Sequence, residues 1–211
     1  PGKWSPEFET DKALEYMENH KDDENPFALF VSWNPPHLPY ELVPDEYYEK
    51  FKDADVCWRP NVPKEMRTPE METKALQFGR IYEYLRENGL EENTILVLSA
   101  DHGEMMGSHS KMSKNIWYEE SIHIPLMIRQ KGRLVPGECR DMFASPDHMP
   151  TLLELLGAPV PDTCEGYSHG NWILNHPAQP HTVYAPDPEA PQDMFLCSYP
   201  GGADMVAEFS K

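Results

Sequence analysis

The side chains of this sequence best suited to chemistry lie between Asp101 and Lys114. Asp101-His102-Gly103-Glu104 follows directly on the apolar run that ends at Ala100. Gly103 lets the backbone leave an extended path there, so a carboxylate and an imidazole could both face one divalent cation. Both are ordinary metal donors, although imidazole is unusual for calcium. The same letters also describe a turn in which Asp101 caps the next segment. Lys114 stands twelve residues after His102, in a Ser/Met/Lys-rich loop with His109. A lysine returned beside a cation would hold an anionic oxygen as a point charge. A solvated loop lysine fits the spacing as well, and Lys111 competes for the role. His37, in "SWNPPHLPY", is flanked by prolines that restrict its backbone. It suits a general acid or an anion ligand, and equally a turn histidine packed on Trp33 or Tyr40.

Other matches fall away. "SHSK" at 108–111 has the S-x-x-K form, but neither S-D-N nor K-T-G accompanies it. Walker A, H-E-x-x-H and G-x-G-x-x-G are all absent. His148 reads as part of a helix start. His169, His176 and His181 read as loop residues.

The elements that must position these groups alternate. "DKALEYMENH" (11–20) reads as a short helix with Ala13, Leu14 and Met17 inward. "PFALFVSW" (26–33), bounded by Asn-Pro and Asn-Pro-Pro, reads as a buried strand. Residues 34–72, rich in proline and charge, read as a surface excursion. Residues 73–88 have helical spacing with Gly89 as C-cap, and 93–100 form a second buried strand. "HIPLMIR" (123–129) gives a third strand, and "SPDHMPTLLELLG" (145–157) a helix closed by Gly157. Such alternation predicts an α/β domain with a largely parallel sheet flanked by helices. Groups just past the carboxyl ends of its strands are then the reactive ones. Both 34–40 and 101–114 occupy that position. Beyond about 160 the periodicity weakens, so 1–160 is assigned to the α/β domain. Residues 161–211 form a loop-rich segment leading into a small C-terminal subdomain.

Eighteen basic against thirty-six acidic residues give a net charge of −18. That excludes a nucleic-acid footprint. No run of eighteen apolar residues exists, so nothing here reads as a membrane span. Cys57, Cys139, Cys164 and Cys197 are scattered and fit either reduced thiols or two disulfides. Neither oligomeric state nor compartment is written in these features.

Three stretches in register resemble the sulfatase family of the alkaline-phosphatase-like superfamily, through most of 10–170. "PFALFVSWNPPHLPY" is similar to its strand and Pro-His-x-Pro-Tyr turn. "GRIYEYLRENGLEENTILVLSADHGEMMGSHSKMSKNIWYEESIHIPLMIR" is similar to its helix, strand, D-H-G-E loop, lysine and Y-E-E-S segment. "SPDHMPTLLELLGAPVP" is similar to the helix that follows. The resemblance implies hydrolysis of aryl or carbohydrate sulfate esters at a divalent metal, usually calcium, with a formylglycine hydrate as nucleophile. It implies Asp101 and His102 as metal ligands and Lys114 as the contact to the sulfate and leaving-group oxygen. His37 becomes a sulfate ligand and proton donor, and His109 a substrate contact. His123, where many relatives carry arginine, becomes a candidate specificity contact. Family members are often periplasmic, secreted or lysosomal.

The departures carry weight too. No C/S-x-P/A-x-R modification motif precedes His37, and Cys57 in "CWRP" lies downstream of it. The family's first Asp-Asp ligand pair is also missing. The expectation is therefore the second part of a sulfatase domain, inactive by itself, with its nucleophile outside these residues. The alternatives are a phosphonate monoester or phosphodiester hydrolase of the same superfamily, and a non-catalytic pseudosulfatase.

Overall fold

A computed structural model describes residues 3–34, 44–46, 49, 74–139, 142–175, 182–183, 193–198 and 205–210, the last three stretches as backbone. The chain forms two compact units. The first comprises Pro1–Thr94 with His102–Lys114, the second Ile95–Asp101 with Asn115–Lys211.

In the first unit, helix α1 spans Ser5–His20. It begins six residues earlier than the apolar spacing predicts, because Pro6 sits in the first turn, where no amide donor is needed. Helix α2, Lys74–Glu87, packs against it. Ala13 and Met17 of α1 and Ile81 and Leu85 of α2 are buried, while Leu14 is half-buried. Polar ties flank this apolar seam. Arg80 donates to Asp11 at 2.6 Å, and the Tyr84 hydroxyl donates to Glu18 at 2.5 Å. Burial and the Glu18 carboxylate push the Tyr84 hydroxyl up to about 12. Gly89, at φ +68°, ends α2 as expected, and the Leu90 amide turns back to the Leu85 carbonyl at 2.8 Å.

Residues 26–33 depart from expectation. They carry no strand pairing among the described residues and are largely exposed, Phe30 at 93%. Two contacts tie them to α1: Trp33 Nε1 donates to Thr10 Oγ1 at 3.1 Å, and the Phe27 ring meets Tyr16 edge-on at 5.4 Å. An apolar run bounded by breakers records only that its side chains favour burial. Pairing also needs a neighbouring strand to satisfy the backbone, and the described residues supply none.

In the second unit, β1 (Leu96–Ser99) pairs antiparallel with β2 (Leu126–Arg129), Leu96 opposite Arg129 and Ser99 opposite Leu126. The link between them holds only one short helix, α3 (Glu119–Ile122), and the chain simply returns alongside β1. Parallel pairing joins β3 (Gly137–Glu138) to β4 (Thr182–Val183), whereas β5 (Asp193–Ser198) and β6 (Met205–Ser210) are antiparallel. A 3-10 turn at Ser145–Asp147 leads into helix α4, His148–Leu156, which packs against α5, Gly170–Asn175. Pro150, Thr151 and Leu155 point into this core. Gly157, at φ +70°, closes α4 through its amide to the Glu154 carbonyl and that of Ala158 to Leu153, both at 2.9 Å. Gly157→Ala is expected to cost about 1 kcal/mol by forcing a Cβ into the left-handed region, read as a lower urea midpoint at unchanged m-value.

No described helix is long and apolar enough to cross a membrane.

Candidate active site

β1 delivers the chain to Asp101, which is exposed in a bend two residues past Ser99. The exit from β1 is held within the second unit. The Ser99 hydroxyl lies 3.4 Å from His148 Nε2, and His148 Nδ1 is 3.0 Å from the Ser145 carbonyl. A carbonyl only accepts, so Nδ1 carries the proton and a neutral His148 receives the Ser99 hydroxyl at Nε2. His148 therefore begins α4, as predicted, and also tethers the strand that presents Asp101.

His102 opens the returning segment of the first unit and is half-buried. Its Nδ1 donates to the Gly103 carbonyl at 2.7 Å. That fixes the tautomer with the lone pair on Nε2, the arrangement a metal-binding histidine requires. Glu104 Oε1 is buried without a hydrogen-bond partner among the described residues. Glu104 closes the D-H-G-E motif, and its spacing there implies no role. Its one signal there is a charge directly against the apolar pair Met105-Met106.

Residues 105–113 fold into a tight hairpin on the buried Met105. The Met105 amide donates to the Ser113 carbonyl and the Gly107 amide to the Lys111 carbonyl, both at 2.9 Å. Inside that ring the Ser110 amide donates to Gly107 and the Lys111 amide to Ser108, each at 3.0 Å. Every described non-glycine residue with positive φ falls in or beside this turn: Met106, His109, Ser110, Ser113 and Asn115. Left-handed geometry is unfavourable for L side chains and clusters where function over-determines the backbone. His109 sits at φ +53° and is exposed. Lys114 leaves the hairpin half-buried and pairs with no carboxylate among the described residues.

His123 lies in the second unit, exposed, its Nδ1 3.6 Å from Glu119 one turn earlier. His37 lies outside the described residues. Among the described residues no three His, Cys, Asp or Glu side chains converge to hold a metal ion. Nor did sequence reasoning find the surroundings of His169. It read as a loop residue, yet it is 2% exposed, between Phe143 and Tyr167 and beside Asp147.

The sulfatase family model matches residues 3–158. The chain belongs to the sulfatase family. It is 34% identical to an endo-4-O-sulfatase of Bacteroides thetaiotaomicron, over 85% of this chain and 39% of that protein. It is 30% identical to an ulvan-active sulfatase of Formosa agariphila, over 95% of this chain and 41% of that one. A solved Bacteroides thetaiotaomicron structure, described under the metabolism of multiple glycosaminoglycans, superposes with a TM-score of 0.81. Its identity is 28%, covering 96% of this chain and 44% of that one. The fold is thus the alkaline-phosphatase-like α/β fold of sulfatases. The chain spans about two fifths of the length of the curated sulfatases it matches.

Proposed function

We propose that this chain carries part of the active site of a sulfuric ester hydrolase acting on carbohydrate or aryl sulfate esters. The observation that carries the reading is Lys114. In a chain of thirty-six acidic residues it is half-buried at the foot of a strained hairpin, with no carboxylate beside it among the described residues. A cation kept clear of acids is suited to an anionic substrate.

The donor chemistry also fits a divalent metal. Asp101 offers an exposed carboxylate, His102 an imidazole with its lone pair on Nε2, and Glu104 a buried carboxylate oxygen without a partner. Asp101 and His102 are assigned as ligands, and calcium is the ion assigned to them. When bound, the metal supplies electrostatic stabilisation to the sulfate oxygens. The formylglycine nucleophile matches no motif in these residues. The protein's own groups then divide the remaining work. Lys114 offsets the charge that grows on the sulfate and bridging oxygens as the S–O bond breaks. His37 gives a proton to the departing oxygen. His109 and His123 contact the substrate around the ester.

The test is sulfate release by the full-length protein from matched panels of sulfate, phosphate and phosphonate esters on aryl and sugar leaving groups. Preference for sulfate esters supports the reading; preference for phosphonate or phosphate diesters would replace it with the sister chemistry. Asp101→Ala should lower the metal retained per chain after gel filtration, read by elemental analysis. Unchanged metal content would remove Asp101 from the ligand set.

A further inference from the structure

We propose that Lys111 forms a second anion subsite beside Lys114, selecting sulfated carbohydrates that carry an additional sulfate or carboxylate. The inference rests on the sulfatase reading above and deepens it, from sulfate esters in general to polyanionic sugars.

Charge pairing carries the first step. Acidic residues outnumber basic ones two to one, so a lysine on this surface has many carboxylates within reach, although each exposed pair is weak. Lys3 pairs with Asp11, Lys12 with Glu15 and Lys21 with Glu18. Lys131 has a partner as well. Lys111 and Lys114 alone among the described lysine side chains have none within the described residues, and they share one hairpin.

Geometry carries the second. The Lys111 carbonyl accepts from Gly107 and its amide donates to Ser108, so its backbone is fixed from both sides. The turn that fixes it uses the strained residues Met106, His109 and Ser110 rather than a run of glycines. Strain of that kind persists where the position of a side chain matters. Lys111 and Lys114 are three positions apart, so their Cα atoms are at most about 11 Å apart. Two anionic groups on one short sugar chain can therefore meet both. Met112, 50% exposed between them, offers apolar surface to the C–H face of a sugar ring.

Long-range electrostatics carries the third. A net charge of −18 repels a polyanion at a distance. A substrate with several negative charges needs a local cationic spot, and this hairpin supplies two ammonium groups together.

The experiment compares the full-length protein with Lys111→Ala, Lys111→Arg and Lys111→Glu on three disaccharides. One carries a single sulfate, one a second sulfate and one an added carboxylate. Lys111→Ala is expected to lower the ratio of kcat/KM for the dianionic over the monoanionic sugars by about three- to fivefold. The change should enter through KM. Lys111→Arg restores the ratio, Lys111→Glu lowers it further, and salt flattens all the differences. A larger effect on the disulfated sugar names sulfate as the second group; a larger effect on the other names carboxylate. Calorimetric binding of the same sugars gives the ratio without turnover. An unchanged ratio in Lys111→Ala by both methods overturns the subsite. Failure of the wild type to release sulfate from any aryl or sugar ester of the wider panel overturns the sulfatase reading instead, and the calorimetric ratio still decides Lys111.

Discussion

Lys114→Ala in the full-length protein is expected to lower kcat on a sulfate ester by about two to four orders of magnitude, with a smaller change in KM. The magnitude is that of removing a preorganised group from developing charge in a site shielded from water. A sulfate monoester is a poor electrophile because its leaving group departs as an anion. Charge grows on the bridging oxygen during S–O cleavage, and an ammonium placed there is worth more in the transition state than in the ground state. Lys114 is half-buried and unpaired among the described residues, so no described carboxylate offsets its charge. Lys114→Arg is not a neutral replacement: the planar guanidinium has a different reach and hydration, and it should recover only part of the rate. Activity within tenfold of wild type in Lys114→Ala would remove Lys114 from the site. If Lys111→Ala then showed the larger loss, the sulfate contact would move three residues back.

How far this site can be read from sequence depends on the type of interaction. Asp101, His102 and Lys114 could be nominated from sequence because their order and spacing match a family pattern, and their roles belong to the proposal above. Gly89 and Gly157 were legible for a simpler reason: a helix that must stop in the left-handed region favours glycine, and both sit at positive φ. The hairpin was not legible. Its left-handed positions include histidine, serine, methionine and asparagine rather than glycine alone, so the turn is imposed by backbone bonds between 105 and 113. Residues 26–33 were misread as a buried strand because composition reports a preference for burial and not the partner that would satisfy it. Glu104 was seen but not weighed, since only coordinates show a buried carboxylate oxygen without a donor. His169 had no signal in "GYSHGNW"; it is buried beside Asp147, twenty-two positions earlier, a contact that local sequence does not record.

Asp147 is where the second large effect is expected, on stability rather than rate. Asp147→Ala should destabilise the fold by about 2–4 kcal/mol, the range for leaving two partly buried amide donors without their acceptor and a buried imidazole without its neighbouring carboxylate. Its two carboxylate oxygens do separate jobs. Oδ2 accepts from the Ala144 amide at 2.8 Å, capping the turn into α4, and Oδ1 accepts from the Tyr167 amide at 2.7 Å. One side chain thus ties the entry of α4 to the segment that leads into α5. His169 Nε2 stands 3.7 Å from Oδ2, in a site where neither ring nitrogen has a hydrogen-bond partner among the described residues. The His169 amide also donates to Thr151 Oγ1 at 3.0 Å. Gly166 packs so closely that a Cβ there would lie 2.2 Å from the Pro146 carbonyl oxygen, so the segment cannot slide to compensate. Asp147→Asn is no rescue, because its amide nitrogen would face an N–H at one of the two positions. Burial raises the Asp147 pKa, but His169 and the Ala144 and Tyr167 amides outweigh it and hold the carboxyl below its ordinary value. A depressed folded pKa makes the contribution fully present above the unfolded carboxylate range and lost as pH falls through the folded value. Urea unfolding of wild type and Asp147→Ala should therefore run parallel from pH 7 to about 5 and converge below about pH 4. A stability gap that stays constant into acid would show that packing at this position, and not the carboxylate, holds the two segments together.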